Sequence, residues 1–173
     1  EELKNQNNVF DVDVTKLIIN VNNSGITGKQ LGDILRYKYN IEVEMDSLKY
    51  VLGITTICDD YKELERLAEA LKEIDKSLEE KQNENISVEL LKNKRMYSIY
   101  ETDFKEKNTV NLFDSKDCIS GEFVFLYPPG IPLVVPGEVI TEELLEQIKV
   151  YLEANMNISG LKDNSNKTIE VVK

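Results

Sequence analysis

The stretch VTKLIINVNNSGITGKQLGDILRYKYN, residues 14–40, decides the fold class of the first half of this chain. Residues 14–21 are a dense β-branched run, which predicts a buried strand. After a polar turn, Thr27 stands three residues before Gln30, the spacing of a capping box at the start of a helix. The apolar residues that follow share one helical face: Leu31, Ile34 and Leu35. The stretch therefore predicts a strand followed by an amphipathic helix.

The next segments extend this pattern to β-α-β-β-α over residues 14–75. IEVEM (residues 41–45) alternates and predicts a short strand, and residues 48–57 predict a longer one with Gly53 as a candidate bulge. Asp60 and Glu63 repeat the capping spacing. An apolar stripe at helical spacing comes next: Leu64, Leu67, Ala68, Leu71 and Ile74. The order predicts a compact two-layer α+β unit.

Glycines in the first helix and a polar stretch after the second carry further predictions. Gly32 costs about 1 kcal/mol relative to alanine inside a helix, which indicates close packing there. The four-residue spacing of Gly28 and Gly32 does not by itself indicate a functional motif, because the helix is capped and polar. Residues 76–85 are mostly polar and form the best candidate linker.

The second half is less regular than the first. Residues 88–104 are weakly helical in pattern, and CISGEFVFLY (residues 118–127) predicts a strand. Thr141 is placed to cap a helix, with acidic residues in its first turn. The stripe of that helix is Leu144, Leu145, Ile148, Tyr151 and Leu152. KTIEVV (residues 167–172) predicts a closing strand.

All four prolines of the chain lie in YPPGIPLVVPGE, residues 127–138. Proline fixes φ and removes a backbone donor, so this segment cannot be a helix. The motif residues are Pro128, Pro129, Gly130, Pro132, Pro136 and Gly137. They predict a bend, a short extended apolar run and a second bend before Glu138. Local physics leaves two uses open: a structural corner in which Glu138 accepts backbone N–H bonds, or a shaped wall of a binding site.

Composition excludes several classes of function. The net charge is −11, and nucleic-acid binders need a basic face, so no nucleic-acid partner is expected. The chain has no histidine, which removes Ser-His and Cys-His nucleophile pairs and nearly all zinc sites. Its two cysteines, Cys58 and Cys118, are expected to be reduced thiols in a cytoplasmic protein without a membrane segment. No catalytic, metal-binding or cofactor-binding residue is predicted in this chain.

The sequence YPPGIPLVVPGEVIT, residues 127–141, closely resembles the signature of the C-terminal domain of the Orn/Lys/Arg decarboxylases. ISGEFVF, residues 119–125, is similar to the strand that precedes this signature, and residues 13–71 are similar to the stretch that follows the cofactor domain. Two positions depart from the pattern. Asp117-Cys118 replaces a basic residue before Ile-Ser, and Ser98-Ile99 replaces a Pro-Arg step.

The resemblance implies a pyridoxal-phosphate enzyme that decarboxylates arginine, lysine or ornithine. In that family a lysine in a Ser-x-His-Lys motif holds the cofactor, and a chain without histidine cannot contain this motif. The resemblance therefore implies a C-terminal fragment, inactive alone, whose partners are the remainder of its own polypeptide, a basic amino acid and other copies of the protein. It implies a role in polyamine biosynthesis.

These inferences give a fold prediction of two small α/β layers. A disordered tail covers residues 1–9, the small βαββα subdomain covers residues 10–76, and a linker covers residues 77–87. A C-terminal mixed α/β domain follows at residues 88–173.

Three residues flank or begin the proline segment and are candidates for the substrate channel: Glu122, Tyr127 and Glu138. A carboxylate at Glu122 or Glu138 would suit the cationic end of a basic amino acid. Two alternatives stay open. The region could be an oligomerisation module, or the protein could be a catalytically degenerate homologue.

Overall fold

A computed structural model of the chain describes residues 8–78 and 91–173. The tail predicted at residues 1–9 and the linker predicted at residues 77–87 lie almost entirely outside the described residues. The chain divides into two compact units, Glu1–Glu84 and Asn85–Lys173. The domain boundaries drawn from the sequence stay predictions.

The first unit has the predicted order β-α-β-β-α. Its elements are β1 (Lys16–Asn20), α1 (Gly28–Tyr39), β2 (Met45–Asp46), β3 (Tyr50–Ile54) and α2 (Tyr61–Ser77). The three strands form an antiparallel sheet in the order β1-β3-β2. Both predicted capping boxes are present, since Thr27 pairs reciprocally with Gln30 and Asp60 with Glu63. Each box satisfies backbone N–H groups that have no partner within the helix.

A cluster of apolar side chains from β1, β3 and both helices forms the core of this unit. Its buried members are Val21, Leu31, Leu35, Val51, Ala70 and Ile74. The predicted stripe of α2 is confirmed in part, because Leu67 and Leu71 pack against the cluster whereas Leu64 is exposed.

Three expectations for this unit are wrong. β1 is an edge strand and is not buried, with Ile18 70% exposed. Gly53 forms no bulge, because it pairs with Leu17 in regular register. The strand expected at residues 41–45 is reduced to Met45–Asp46.

The spacing of Gly28 and Gly32 has a packing reason that the sequence did not reveal. A Cβ at position 28 would overlap the carbonyl oxygens of Ser47 and Tyr50, and one at position 32 would lie 2.9 Å from Asp46 Oδ2. Both glycines therefore let α1 lie directly on the β2–β3 hairpin. The close packing predicted at Gly32 is confirmed.

The second unit mixes short helices with small antiparallel sheets, as predicted. Its elements are α3 (Ile99–Asp103), β4 (Lys107–Asn111), β5 (Val124–Leu126), β6 (Ile131–Val134), α4 (Glu142–Glu153), β7 (Ile158–Ser159) and β8 (Thr168–Val172), with a short 3₁₀ turn at Leu112–Asp114. β4 pairs with β8, and β5 lies between β6 and β7. The cap at Thr141 and the closing strand are confirmed.

The core of the second unit takes its side chains from α4, from β5, β6 and β8, and from the segments beside them. Its most deeply buried apolar side chains are Leu112, Val124, Val134, Ile140, Leu144, Ile148 and Ile169. In the described part of residues 88–104 only Ile99–Asp103 is an α-helix. Within residues 8–78 and 91–173, no helix is long and apolar enough to cross a membrane.

Candidate functional site

The proline segment forms a β-hairpin followed by a second tight turn. β5 and β6 pair antiparallel and are joined by Tyr127–Gly130, where the Tyr127–Pro128 and Pro128–Pro129 peptide bonds are cis. Gly130 closes the loop by donating its N–H to the carbonyl of Leu126 at 2.9 Å, with a φ of +97°. The predicted bend, extended run and second bend are thus all present.

The second turn, at Pro136-Gly137, is held by backbone groups from two other segments. Gly137 donates to the Ser120 carbonyl at 2.8 Å, and its own carbonyl accepts the N–H groups of Met96 and Tyr97 at 2.8 and 3.1 Å. A side chain at position 137 would overlap the Tyr97 carbonyl oxygen, and φ is +92°. Only glycine meets both conditions without strain, so the hairpin has a rigid base.

Glu138 follows this turn, and one of its two carboxylate oxygens accepts hydrogen bonds. Its Oε2 accepts the N–H of Val135 at 3.1 Å and the side-chain amide of Asn93 at 3.3 Å. Its Oε1 lies 3.8 Å from a guanidinium nitrogen of Arg95. The backbone contact fits the structural-corner alternative, and the second oxygen leaves capacity for a further donor.

Glu122 is positioned quite differently. It is 6% exposed, and its two carboxylate oxygens accept the backbone N–H groups of Lys162 at 2.9 Å and Glu170 at 2.7 Å. Both oxygens therefore join separate chain segments. This geometry favours a structural role over a place in a substrate channel.

Tyr127 begins the loop and is exposed. Its backbone N–H donates to the Asn157 carbonyl at 2.9 Å, which fixes the start of the loop while the ring faces outward. The strand predicted at residues 118–127 is shorter in the structure, at Val124–Leu126, and its buried face is not the one that carries the aromatic side chains. The buried residues of β5 are Val124 and Leu126, whereas Phe123 and Tyr127 are exposed and Phe125 is only partly covered.

Among these candidates, the structure brings Glu138 and the hairpin together and leaves Glu122 in a separate network. Sequence reasoning missed Asn93 and Arg95, which lie beside Glu138 through a long-range bridge between Arg95 and Glu138. No local pattern marks a contact over that separation. It also missed the capping box of Ser98 and Glu101, which the Ser-x-x-Glu spacing could have shown.

Lys29 of α1 is partly buried, but it is not prepared to hold pyridoxal phosphate as a Schiff base. A lysine that forms a Schiff base needs a lowered pKa. Burial lowers the pKa of Lys29, but its hydrogen bond to Asp33 at 2.6 Å and the nearby charge of Asp46 raise it, and the net shift is upward. In the described residues no group of three or more acidic or cysteine side chains could hold a metal ion.

Comparison with known sequences gives one family. The profile of the Orn/Lys/Arg decarboxylase C-terminal domain matches residues 75–164. The arginine decarboxylase of Bacillus subtilis is 37% identical over 167 residues, which are 95% of this chain and 34% of that protein. The arginine decarboxylase of Bacillus anthracis is 32% identical over 176 residues, covering 100% of this chain and 36% of that protein. The chain thus spans about a third of the length of these relatives.

Solved structures show the same fold. The E. coli constitutive lysine decarboxylase superposes with a TM-score of 0.71 at 17% identity, covering 94% of this chain and 32% of that one. A lysine decarboxylase of Francisella novicida gives a TM-score of 0.68 at 18% identity, covering 94% of this chain and 31% of the other.

Proposed function

Because the chain belongs to the Orn/Lys/Arg decarboxylase family, we propose that it is the C-terminal part of a pyridoxal-phosphate enzyme that decarboxylates arginine, lysine or ornithine. The observation that carries this proposal is the alignment of 95% of the chain with one third of an arginine decarboxylase. Activity of the complete polypeptide, a role in polyamine biosynthesis and a cytoplasmic location belong to the proposal.

The cofactor belongs to polypeptide outside this chain. The absence of histidine supports this assignment, because the Ser-x-His-Lys motif that holds the cofactor in this family requires one. When bound there, pyridoxal phosphate supplies the electron sink for decarboxylation. In this proposal the chain alone is inactive, and its residues bind, orient and enclose the substrate of the complete polypeptide.

The β5–β6 hairpin forms the wall of the substrate entrance. The backbone hydrogen bonds of Gly137 fix the base of the hairpin, so the hairpin can hold a neighbouring side chain at a constant position. Glu138 supplies the negative charge beside that wall. We assign the cation-lining role to Glu138 rather than Glu122, because both Glu122 oxygens are already bonded to backbone N–H groups.

The outer face of the first unit's sheet supports the remainder of the polypeptide as a partner. The register aligns Ile18, Leu52 and Met45 in one row across the three strands. Alternation places this row opposite Ile19 and Val51, which face the helices. A row of apolar side chains with Ile18 70% exposed is typical of a surface that a further domain covers.

A second candidate function is assembly of the protein into oligomers. The exposed side chains of Tyr127 and Ile131 at the hairpin favour it, since they present apolar surface on a rigid element. This role is compatible with catalysis, and it is also the role left for a degenerate homologue that has lost the cofactor lysine.

The proposed function is tested by release of CO₂ from arginine, lysine and ornithine. The complete polypeptide is expected to release CO₂ from at least one of them, and the 173-residue chain from none. A complete polypeptide that holds the cofactor and decarboxylates none of the three contradicts the proposal.

Light scattering of the complete polypeptide, with and without residues 86–173, distinguishes the assembly role from the entrance-wall role. Loss of the oligomer with an unchanged cofactor spectrum favours assembly. An unchanged oligomer with weakened substrate binding favours the entrance wall.

A further inference from the structure

The free edge of β1 presents backbone groups that have no partner within residues 8–78 and 91–173. β1 lies at one end of the sheet order and pairs with β3 alone among the described strands. Val21, directly after β1, donates its N–H to the Lys49 carbonyl at 2.8 Å. Hydrogen-bonded pairs alternate along an antiparallel ladder, so the odd-numbered residues of β1 bond to β3. Ile18 and Asn20 therefore direct their N–H and C=O groups away from the sheet.

β1 also lacks the features that protect an edge strand from pairing. Natural edges are blunted by proline, by charged side chains or by bulges. β1 is regular in register, has no proline, and carries one charge, Lys16, at its first position. The Lys16 N–H bonds the Asp13 carbonyl at 3.3 Å, which closes that end of the edge. The groups open to a further strand therefore run from the Lys16 carbonyl to Asn20.

A second copy of the chain fits this edge poorly. A stable interface between two proteins takes about 20–30 residues from each side, and β1 offers five. Each copy would also bring a net charge of −11. A segment of the same polypeptide needs much less contact, because its covalent connection gives it a high effective concentration. The curated relatives are about three times as long as this chain, so such a segment is available.

We propose that one extended segment, from the part of the polypeptide outside these 173 residues, adds to β1 as a fourth strand of the first sheet. The inference rests on the proposed function only in requiring that longer polypeptide. Main-chain hydrogen bonds to Ile18 and Asn20 hold the segment, and alternate side chains set its register. On the outer face it carries an apolar residue beside Ile18, which extends the row of Ile18, Leu52 and Met45.

Hydrogen–deuterium exchange of the complete polypeptide, resolved to single residues by mass spectrometry, tests the added strand. The amides of Leu17 and Ile19 bond to β3 and serve as the internal reference for protection. We expect the amides of Ile18 and Asn20 to exchange within about ten-fold of this reference, because both are bonded on the other side. Faster exchange of both amides would overturn the proposal.

A pair of variants at position 18 separates backbone pairing from burial of the side chain. Ile18→Pro removes the central donor, and proline is tolerated where a strand N–H faces away from the sheet. Ile18→Ala is the matched control, since it removes the side chain and keeps the N–H. The Asn20 amide should exchange about ten-fold faster in Ile18→Pro than in Ile18→Ala, the factor expected for one hydrogen bond. Equal exchange in the two variants would contradict strand addition.

Photo-crosslinking identifies the occupant of the edge. A photoreactive amino acid in place of Lys16, whose side chain is 52% exposed, lies beside the proposed strand. The crosslinked peptide should come from outside the 173 residues, and a peptide from within them would refute the assignment.

Failure of the proposed function is distinguishable, because it is measured as CO₂ release. Protected Ile18 and Asn20 amides in a protein that releases no CO₂ would keep the added strand and refute the decarboxylase role. CO₂ release from a protein in which both amides exchange freely would do the reverse.

Discussion

Glu122→Gln is expected to destabilise the second unit far more than an ordinary surface change. The carboxylate is 6% exposed and receives the N–H groups of Lys162 and Glu170. Glutamine keeps one acceptor oxygen and replaces the other with an amide that can only donate. One charge-assisted hydrogen bond is lost, which is worth about 1.5–3 kcal/mol of unfolding free energy.

Two measurements test the predicted loss of stability in Glu122→Gln. Urea unfolding monitored by circular dichroism should show the lower free energy, and for a unit of this size the loss corresponds to a fall in Tm of about 6 °C or more. Amide hydrogen exchange is more specific, because the Lys162 and Glu170 N–H groups should lose protection together.

Glu142→Gln is the control for this prediction. Glu142 is exposed and pairs with Lys116 at the surface, so its substitution should cost at most about 1 kcal/mol. If Glu122→Gln costs no more than Glu142→Gln, the reasoning that makes Glu122 structural is refuted, and its place as a channel candidate is restored.

Further predictions concern two turns and one loop. Gly137→Ala should lower the unfolding free energy well beyond Gly130→Ala: both have φ above +90°, but a Cβ at 137 overlaps the Tyr97 carbonyl, whereas one at 130 lies 3.9 Å from its nearest neighbour. Equal losses in urea unfolding would contradict the packing argument. Asp163 accepts hydrogen bonds from Ser165 and Thr168, which hold its pKa below the usual value. A lowered folded pKa gives stability above the unfolded pKa of about 3.9 that is lost as pH falls further. The stability difference between the wild type and Asp163→Asn should therefore be full at pH 7 and shrink below about pH 4, and a constant difference across that range would refute it.

Local sequence signals predicted the order of helices and strands in the first unit well, because short-range patterns specify where each helix begins. The capping pairs Thr27–Gln30 and Asp60–Glu63 mark both helix starts and are confirmed. The burial of β1 was not predictable in the same way. An apolar run such as Leu17–Ile19 looks the same in the sequence whether it lies at the centre or the edge of a sheet, and the edge position is fixed by long-range pairing.

The site was predictable in shape and not in its contacts. Proline chemistry gave the two bends and the extended run of the hairpin, and these are confirmed. The burial of Glu122 depends on backbone N–H groups 40 and 48 residues away. Asn93 reaches Glu138 across 45 residues, and no spacing rule in the sequence connects them.

The most direct test of the central claim is the KM of the complete decarboxylase for its basic amino acid with Glu138→Gln. If the hairpin presents this carboxylate to a cationic substrate, KM should rise about ten-fold, equivalent to about 1.4 kcal/mol, with kcat little changed. An unchanged KM for arginine, lysine and ornithine would contradict the claim.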